Sequence, residues 1–149
     1  MHEFNRSLRA ALAALLLAGA AAAQAAAFTV GAGGGAYHGT IDLACGDLEV
    51  NGPLSAAGAT FTGVGMVRIG AAGSIAAAGA RIELGAGWHN AAGPGGFTGA
   101  ASTVAVVGRC SSGGATDITG NTTFSHLSAA QAGQVLRFAA GSEQQVGGT

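Results

Sequence analysis

The chain has 149 residues, room for one domain, with a formal charge of −1 and no lysine. Charged residues make up 9% and aromatics 5%, against roughly 25% charged residues in an ordinary soluble domain, so the core must come from small and aliphatic side chains. Binding to nucleic acid or an anionic membrane surface needs clustered cations, which this composition does not supply.

The first 27 residues read as a targeting segment. Met1 to Arg9 is polar and carries Arg6 and Arg9; an apolar run follows from Ala10 to Ala23, centred on Leu12, Leu15, Leu16 and Leu17. Small residues with A-x-A spacing come next, Ala23-Gln24-Ala25 and Ala25-Ala26-Ala27. A basic start, an apolar stretch and a small-residue cleavage site are the three parts of a secretory signal, here a helical one cut near Ala25 or Ala27. The alternative, an uncleaved anchor, is disfavoured because a span needs about 20 strongly apolar residues, and this stretch is mostly Ala past Leu17. The expected location is secreted, extracellular or at the cell surface, or the periplasm, with no membrane contact after signal removal.

Residues 28–38 include the run Gly31-Ala32-Gly33-Gly34-Gly35 and read as a flexible lead-in. The run lacks the Lys-Ser/Thr and helix that a phosphate loop requires. From residue 39 to 149 short alternating runs appear: Leu48-Glu49-Val50 before Asn51-Gly52, Val67-Arg68-Ile69 before Gly70, Arg81 to Leu84 before Gly85, Val104 to Val107 before Gly108, and Leu136-Arg137-Phe138. Apolar residues two apart place one face inward and one in water, the pattern of a strand. Gly at the ends is expected to supply the positive φ of a sharp turn.

The strands repeat. SAAGATF from Ser55 matches AAAGARI from Ala76, which brings Leu54, Ile75 and Phe97 into register, and likewise Phe61, Ile82 and Val104. Val67 to Ser74 is echoed by Leu136 to Ser142, about three periods later. A period of about 21–22 residues fits one coil of a β-solenoid, in which each coil needs neighbours to bury its inward residues. The expected fold is therefore all-β, a right-handed parallel β-helix. A β-sandwich and a disordered Gly/Ala chain are the competing readings, and a helix survives only for Ser128 to Val135, interrupted by Gly133.

Few residues invite chemistry. Cys45 and Cys110 are the only cysteines, and an exported chain permits a disulfide. Three coils separate them, roughly 14 Å along a stack, while a bridge needs Cα atoms within about 7 Å. The bond thus requires the loop Arg109 to Asp117 to fold back along the stack. His38, His89 and His126 have no metal-ligand spacing with one another and read as solvated turn residues. Asp42, Asp47 and Glu49 cluster in sequence, as a Ca²⁺ or lyase-like site would, but outward acids on a strand usually serve solvation, and the calcium nonapeptide is missing. Trp88 reads as packing rather than as a sugar platform. Asn121-Thr122-Thr123 is a formal glycosylation sequon that the turn role of Gly120-Asn121 explains better. No catalytic, cofactor or metal residues are assigned.

The stretches GTIDLACGDLEVNG from Gly39, GAGWHNAAGPGGFTGAASTVAVVG from Gly85 and DITGNTTFSHLSAAQAGQVLRFAAGSEQQV from Asp117 resemble repeats of secreted bacterial surface proteins. Those are adhesin-like, in the style of filamentous haemagglutinin, and many end in a sorting tail of the IPTL type. The elements Cys45-Gly46-Asp47, Trp88-His89-Asn90 and Gly120 to Phe124 carry the likeness. It implies an extracellular β-helix with structural or adhesive roles. This chain stops at Gly147-Gly148-Thr149 without such a tail or a cap, so the expectation is a solenoid that is incomplete at its C-terminus and open to end-to-end self-association.

The functional expectation is a non-enzymatic scaffold or adhesin segment with glycans or other surface proteins as partners. The alternative is a fragment of a carbohydrate-active β-helix enzyme, lyase or glycoside hydrolase, or its carbohydrate-binding part. Outward positions discriminate: acids stacked on adjacent coils favour the enzyme, and Thr, Ser and Gly rows the scaffold. An ice- or crystal-binding face would need ranked Thr, and Thr60, Thr62, Thr98 and Thr103 do not repeat regularly enough.

Overall fold

The computed structural model describes residues 25–111, 113–129 and 131–148. Most of the expected signal segment, residues 1–24, lies outside them. Ala25 to Ala27 are exposed and without regular structure.

Over the described residues the chain winds as a parallel β-solenoid of fifteen strands, most of them two to five residues long. The first turns hold β1 (Phe28–Val30), β2 (Gly35–Ala36), β3 (Thr40–Asp42), β4 (Leu48–Val50) and β5 (Pro53–Ser55). Next come β6 (Thr60–Ile69), β7 (Ser74–Ala76), β8 (Arg81–Asn90), β9 (Phe97–Thr98) and β10 (Thr103–Val106). The last are β11 (Ala115–Thr119), β12 (Thr122–Phe124), β13 (His126–Ala129), β14 (Val135–Phe138) and β15 (Gln144–Val146). All the pairings between them are parallel.

Three faces result. The first stacks β3, the start of β6, the start of β8, β10 and β13. The second stacks β1, β4, the ends of β6 and β8, β11 and β14. The third carries β2, β5, β7 and β9, with β12 and β15 paired beyond them. With six strands on the second face, the solenoid has about six turns.

The predicted registers hold. Leu54 pairs with Ile75 and Ile75 with Phe97, and all three are buried. Phe61, Ile82 and Val104 stack in the same way. Coil length varies around the expected 21–22: Leu48 pairs with Val67, nineteen residues on, and Thr103 with His126, twenty-three on. One step is far longer, because Trp88 pairs with Ile118, thirty residues on. The surplus lies between β10 and β11, in the loop that carries Cys110.

Four expectations are corrected. The presumed lead-in 28–38 supplies β1 and β2, paired to β4 and β5, because Val30 and Phe28 have inward places to fill. The echo of Val67 in Leu136 is two residues out: the ladder runs Val67, Trp88, Ile118, Phe138. Among the described residues from Ser128 to Val135 there is no helix: Ser128 and Ala129 end β13, Gly133 sits in a turn at φ +82°, and Val135 opens β14. Finally, Gly52, Gly70, Gly85 and Gly108 do not adopt positive φ. They are small because a neighbouring coil is close: a Cβ at Gly70 would lie 2.6 Å from the Asn51 side-chain oxygen, and one at Gly52 2.8 Å from the Ala32 carbonyl.

The core is thin and mostly aliphatic, with Leu48, Val50, Val64, Val67, Ile69, Ile75, Ile82 and Leu84 all at most 1% exposed. Six of the eight aromatics gather in two clusters: Phe28, Tyr37 and Phe61 in the early coils, and Trp88, Phe97 and Phe124 in the later ones. Between them aliphatic side chains stack on their like. Burying each large side chain is worth roughly 1.5–3 kcal/mol, which is how so uncharged a chain holds a fold.

Candidate functional site

The corner between the first and second faces is the most elaborated part of the surface. In the second and third coils the chain passes this corner as one continuous strand, β6 bending at Gly63–Gly65 and β8 at Gly85. The first coil makes a loop there, Leu43 to Asp47, and the fourth makes the long loop after Val106. These two loops lean toward each other across the glycine corners. A Cβ at Gly65 would lie 2.6 Å from the Cys45 carbonyl, and one at Gly85 would strike the Arg109 carbonyl.

Cys45 and Cys110 are joined there, with Cα atoms 5.2 Å apart. The geometric requirement set by the sequence is met as anticipated, by the fold-back of the β10–β11 loop. The Cys45 amide donates to the Gly63 carbonyl at 2.6 Å, and the Cys110 Sγ lies 3.7 Å from the same oxygen. Arg109 Nη2 reaches Asp42 Oδ2 at 3.2 Å, a second link between the first and fourth coils. This pair was not foreseen, because 67 positions separate its members in the chain.

The sequence cluster Asp42, Asp47 and Glu49 is taken apart by the fold. Asp42 accepts from the Ala44 amide at 2.9 Å and pairs with Arg109. The Ala44 hydrogen bond, seconded by the Arg109 charge, outweighs a small desolvation and holds the Asp42 carboxyl below its usual value. Asp47 accepts from the Met66 amide at 3.0 Å and pairs with Arg68 at 3.3 Å. Glu49 lies in register with Arg68 on the second face. Among the described residues, no three His, Cys, Asp or Glu side chains come together as a metal cluster.

The histidines separate as well. His38 Nδ1 is 3.2 Å from the Ala57 carbonyl, and His89 Nδ1 is 2.7 Å from Thr119 Oγ1. His126 is the first residue of β13, on the first face. Trp88 is in β8 and is 1% exposed, edge-on to Phe97 and Phe124. Its Nε1 donates to Thr122 Oγ1 at 3.1 Å, so it packs and offers no platform to a sugar. Buried Asn90 donates to the Gly93 and Asn121 carbonyls, both at 2.9 Å, tying the turn before β9 to the one before β12. Asn121 of the sequon is exposed, and its side-chain oxygen accepts from the Glu143 amide at 2.9 Å.

The outward rows are the remaining surface. On the third face Ala36, Ser55, Ala76 and Thr98 follow one another in register, all exposed and none charged. On the first face the row is Thr40, Thr60, Arg81, Thr103 and His126. Among the described residues no acid lies in register on another acid: Asp42 meets Thr62, Glu49 meets Arg68, Glu83 meets Ala105, and Asp117 lies between Gly87 and Arg137. A hollow of about 310 Å³ opens at the N-terminal end of the stack between Ala25–Phe28 and Ile41–Ala44, with Asp42 its one ionisable group among the described residues. Among the described residues, no helix is long and apolar enough to cross a membrane.

Compared with known proteins, this chain matches no family model, no curated protein and no solved structure.

Proposed function

We propose that this chain is an exported, non-enzymatic β-solenoid module, a scaffold or adhesin segment of a bacterial cell surface. One observation carries the reading: among the described residues the strand acids meet Thr, Gly, Ala or Arg in register and never another acid, whereas hydrolysis or elimination on a sugar needs converging carboxylates or a positioned base. What the coils offer instead is flat, regular rows of small hydroxyl and methyl side chains. Glycans or neighbouring surface proteins are the partners that such rows suit. The winding is taken as right-handed, from the general preference of parallel crossover connections. The adhesin-like kinship proposed from the repeats is consistent with the β-solenoid and rests on the sequence motifs alone.

Export rests on Arg6, Arg9, the Leu12–Leu17 stretch and the small residues before Phe28. Replacing Leu15 and Leu16 by Arg should keep the protein inside the cell with an uncut N-terminus, while the parent appears outside the inner membrane beginning near Ala26 or Phe28. Accumulation of both proteins in the cytosol would end the export reading. The mature protein should bind within a panel of immobilised glycans and surface proteins without releasing reducing ends or unsaturated sugars from soluble polysaccharides. Turnover of any of them would put the carbohydrate-active alternative in its place.

A further inference from the structure

The Cys45–Cys110 bridge is unlike a staple through a core. It lies on the corner, outside the stacked aliphatic side chains, and joins two loops rather than two strands. Cys45 is exposed and Cys110 half-buried. Both hold φ at +71°, and Ala44 beside them at +48°, a backbone region that residues with a Cβ avoid. The other ties of the β10–β11 loop near Cys110 are modest. Arg109 and Asp42 pair between side chains that are 58% and 49% exposed, and the Gly108 amide donates to Gln131 Oε1 at 2.7 Å. The coils beneath have ties of their own. β8 pairs with β10 in unbroken register and with β6 along both faces on either side of the corner, over buried Ile82, Leu84, Val104 and Val106.

We propose that Cys45–Cys110 is a reducible clasp, whose opening frees the β10–β11 loop from the first-coil corner and leaves the stacked coils folded. Exposed disulfides held in unfavourable backbone conformations are the labile ones. A dithiol reductant supplies what the step needs. One of its thiolates attacks the Cys45 sulfur, the Cys45–Cys110 bond breaks, and Cys110 leaves as a thiolate that takes a proton. The second thiol of the reductant then displaces Cys45 from the mixed disulfide, so the reductant ends oxidised by two electrons and both cysteines end as thiols. Release lets Arg109 leave Asp42 and bares the glycine corner at Gly85, against which the backbone of Arg109 and Cys110 lies in the closed state. The inference rests on the fold and not on the adhesive reading.

Hydrogen exchange of the oxidised exported protein, with and without dithiothreitol at neutral pH, tests it. Thiol titration should show two free cysteines without denaturant. The Cys45, Gly46 and Gly108 amides, bonded to the Gly63 carbonyl, the Leu43 carbonyl and Gln131 Oε1, should then exchange at least about tenfold faster, while those of β8 and β10 change by less than about twofold. The Cys45→Ser/Cys110→Ser double variant should show the same pattern without reductant. The proposal is overturned if the bond resists reduction until the protein is denatured, if the loop amides keep their protection after both thiols are freed, or if β8 and β10 lose protection together with the loop.

Discussion

Single residues carry more of this fold through backbone conformation than through charge. Gly58 and Gly79 occupy matched corners with φ +66° each, and Ala101 takes the same place in the next coil at φ +57°. Alanine pays about 1–2 kcal/mol for that region, partly offset by glycine's larger unfolded-state entropy. Ala101→Gly should therefore stabilise the protein by about 0.5–1 kcal/mol in urea denaturation; a loss of stability would show that the Ala101 methyl packs. Charge acts locally, at Asp42, whose carboxyl is held below its ordinary value of 3.8. A depressed carboxyl stabilises the fold fully above that ordinary value and loses its contribution as pH falls through the lower folded one. The stability difference between the wild type and Asp42→Asn should stay constant above that pH and narrow below it, as read from melting temperatures across an acid titration.

At the scale of elements, each strand is too short to persist alone and is held by its stacking partners. Ile75 in β7 is fully buried between Leu54 and Phe97. Ile75→Ala should cost about 2–5 kcal/mol, the transfer of the lost atoms plus the cavity left behind, measured by urea denaturation. A cost below about 1 kcal/mol would mean that the neighbouring coils close the gap. The alternation that marked β4, β6, β8, β10 and β14 was legible because a strand with one face in the core must show it. β1 and β2 were not legible. Two- and three-residue strands among glycines leave no pattern, and only the waiting edges of β4 and β5 reveal them.

For the whole molecule, stability should be graded along the stack. The middle coils have neighbours on both sides, whereas Val135, Phe138 and Val146 in the last described coil are 52%, 52% and 49% exposed. Amide exchange should be slowest in β6 and β8 and fastest in β14 and β15, since each coil borrows stability from the next. Uniform protection would indicate a single cooperative unit or an association that covers the last coil. Such covering is the physical content of the end-to-end contact expected from the sequence.

Period, inward residues and the solenoid itself were determined by the sequence, because stacking demands that like positions recur at nearly constant spacing and leaves the recurrence in plain view. Leu54, Ile75 and Phe97 could be aligned before any coordinate was known. The two cysteines required the β10–β11 loop to turn back across two coils, but tertiary structure alone decided that it does, that Asp42 meets Arg109, and that Gly52, Gly70, Gly85 and Gly108 answer crowding rather than turn geometry. Each of these is a contact between chain segments with no shared periodicity. Nothing in the local pattern of either segment records the other, so only the packed stack brings them together.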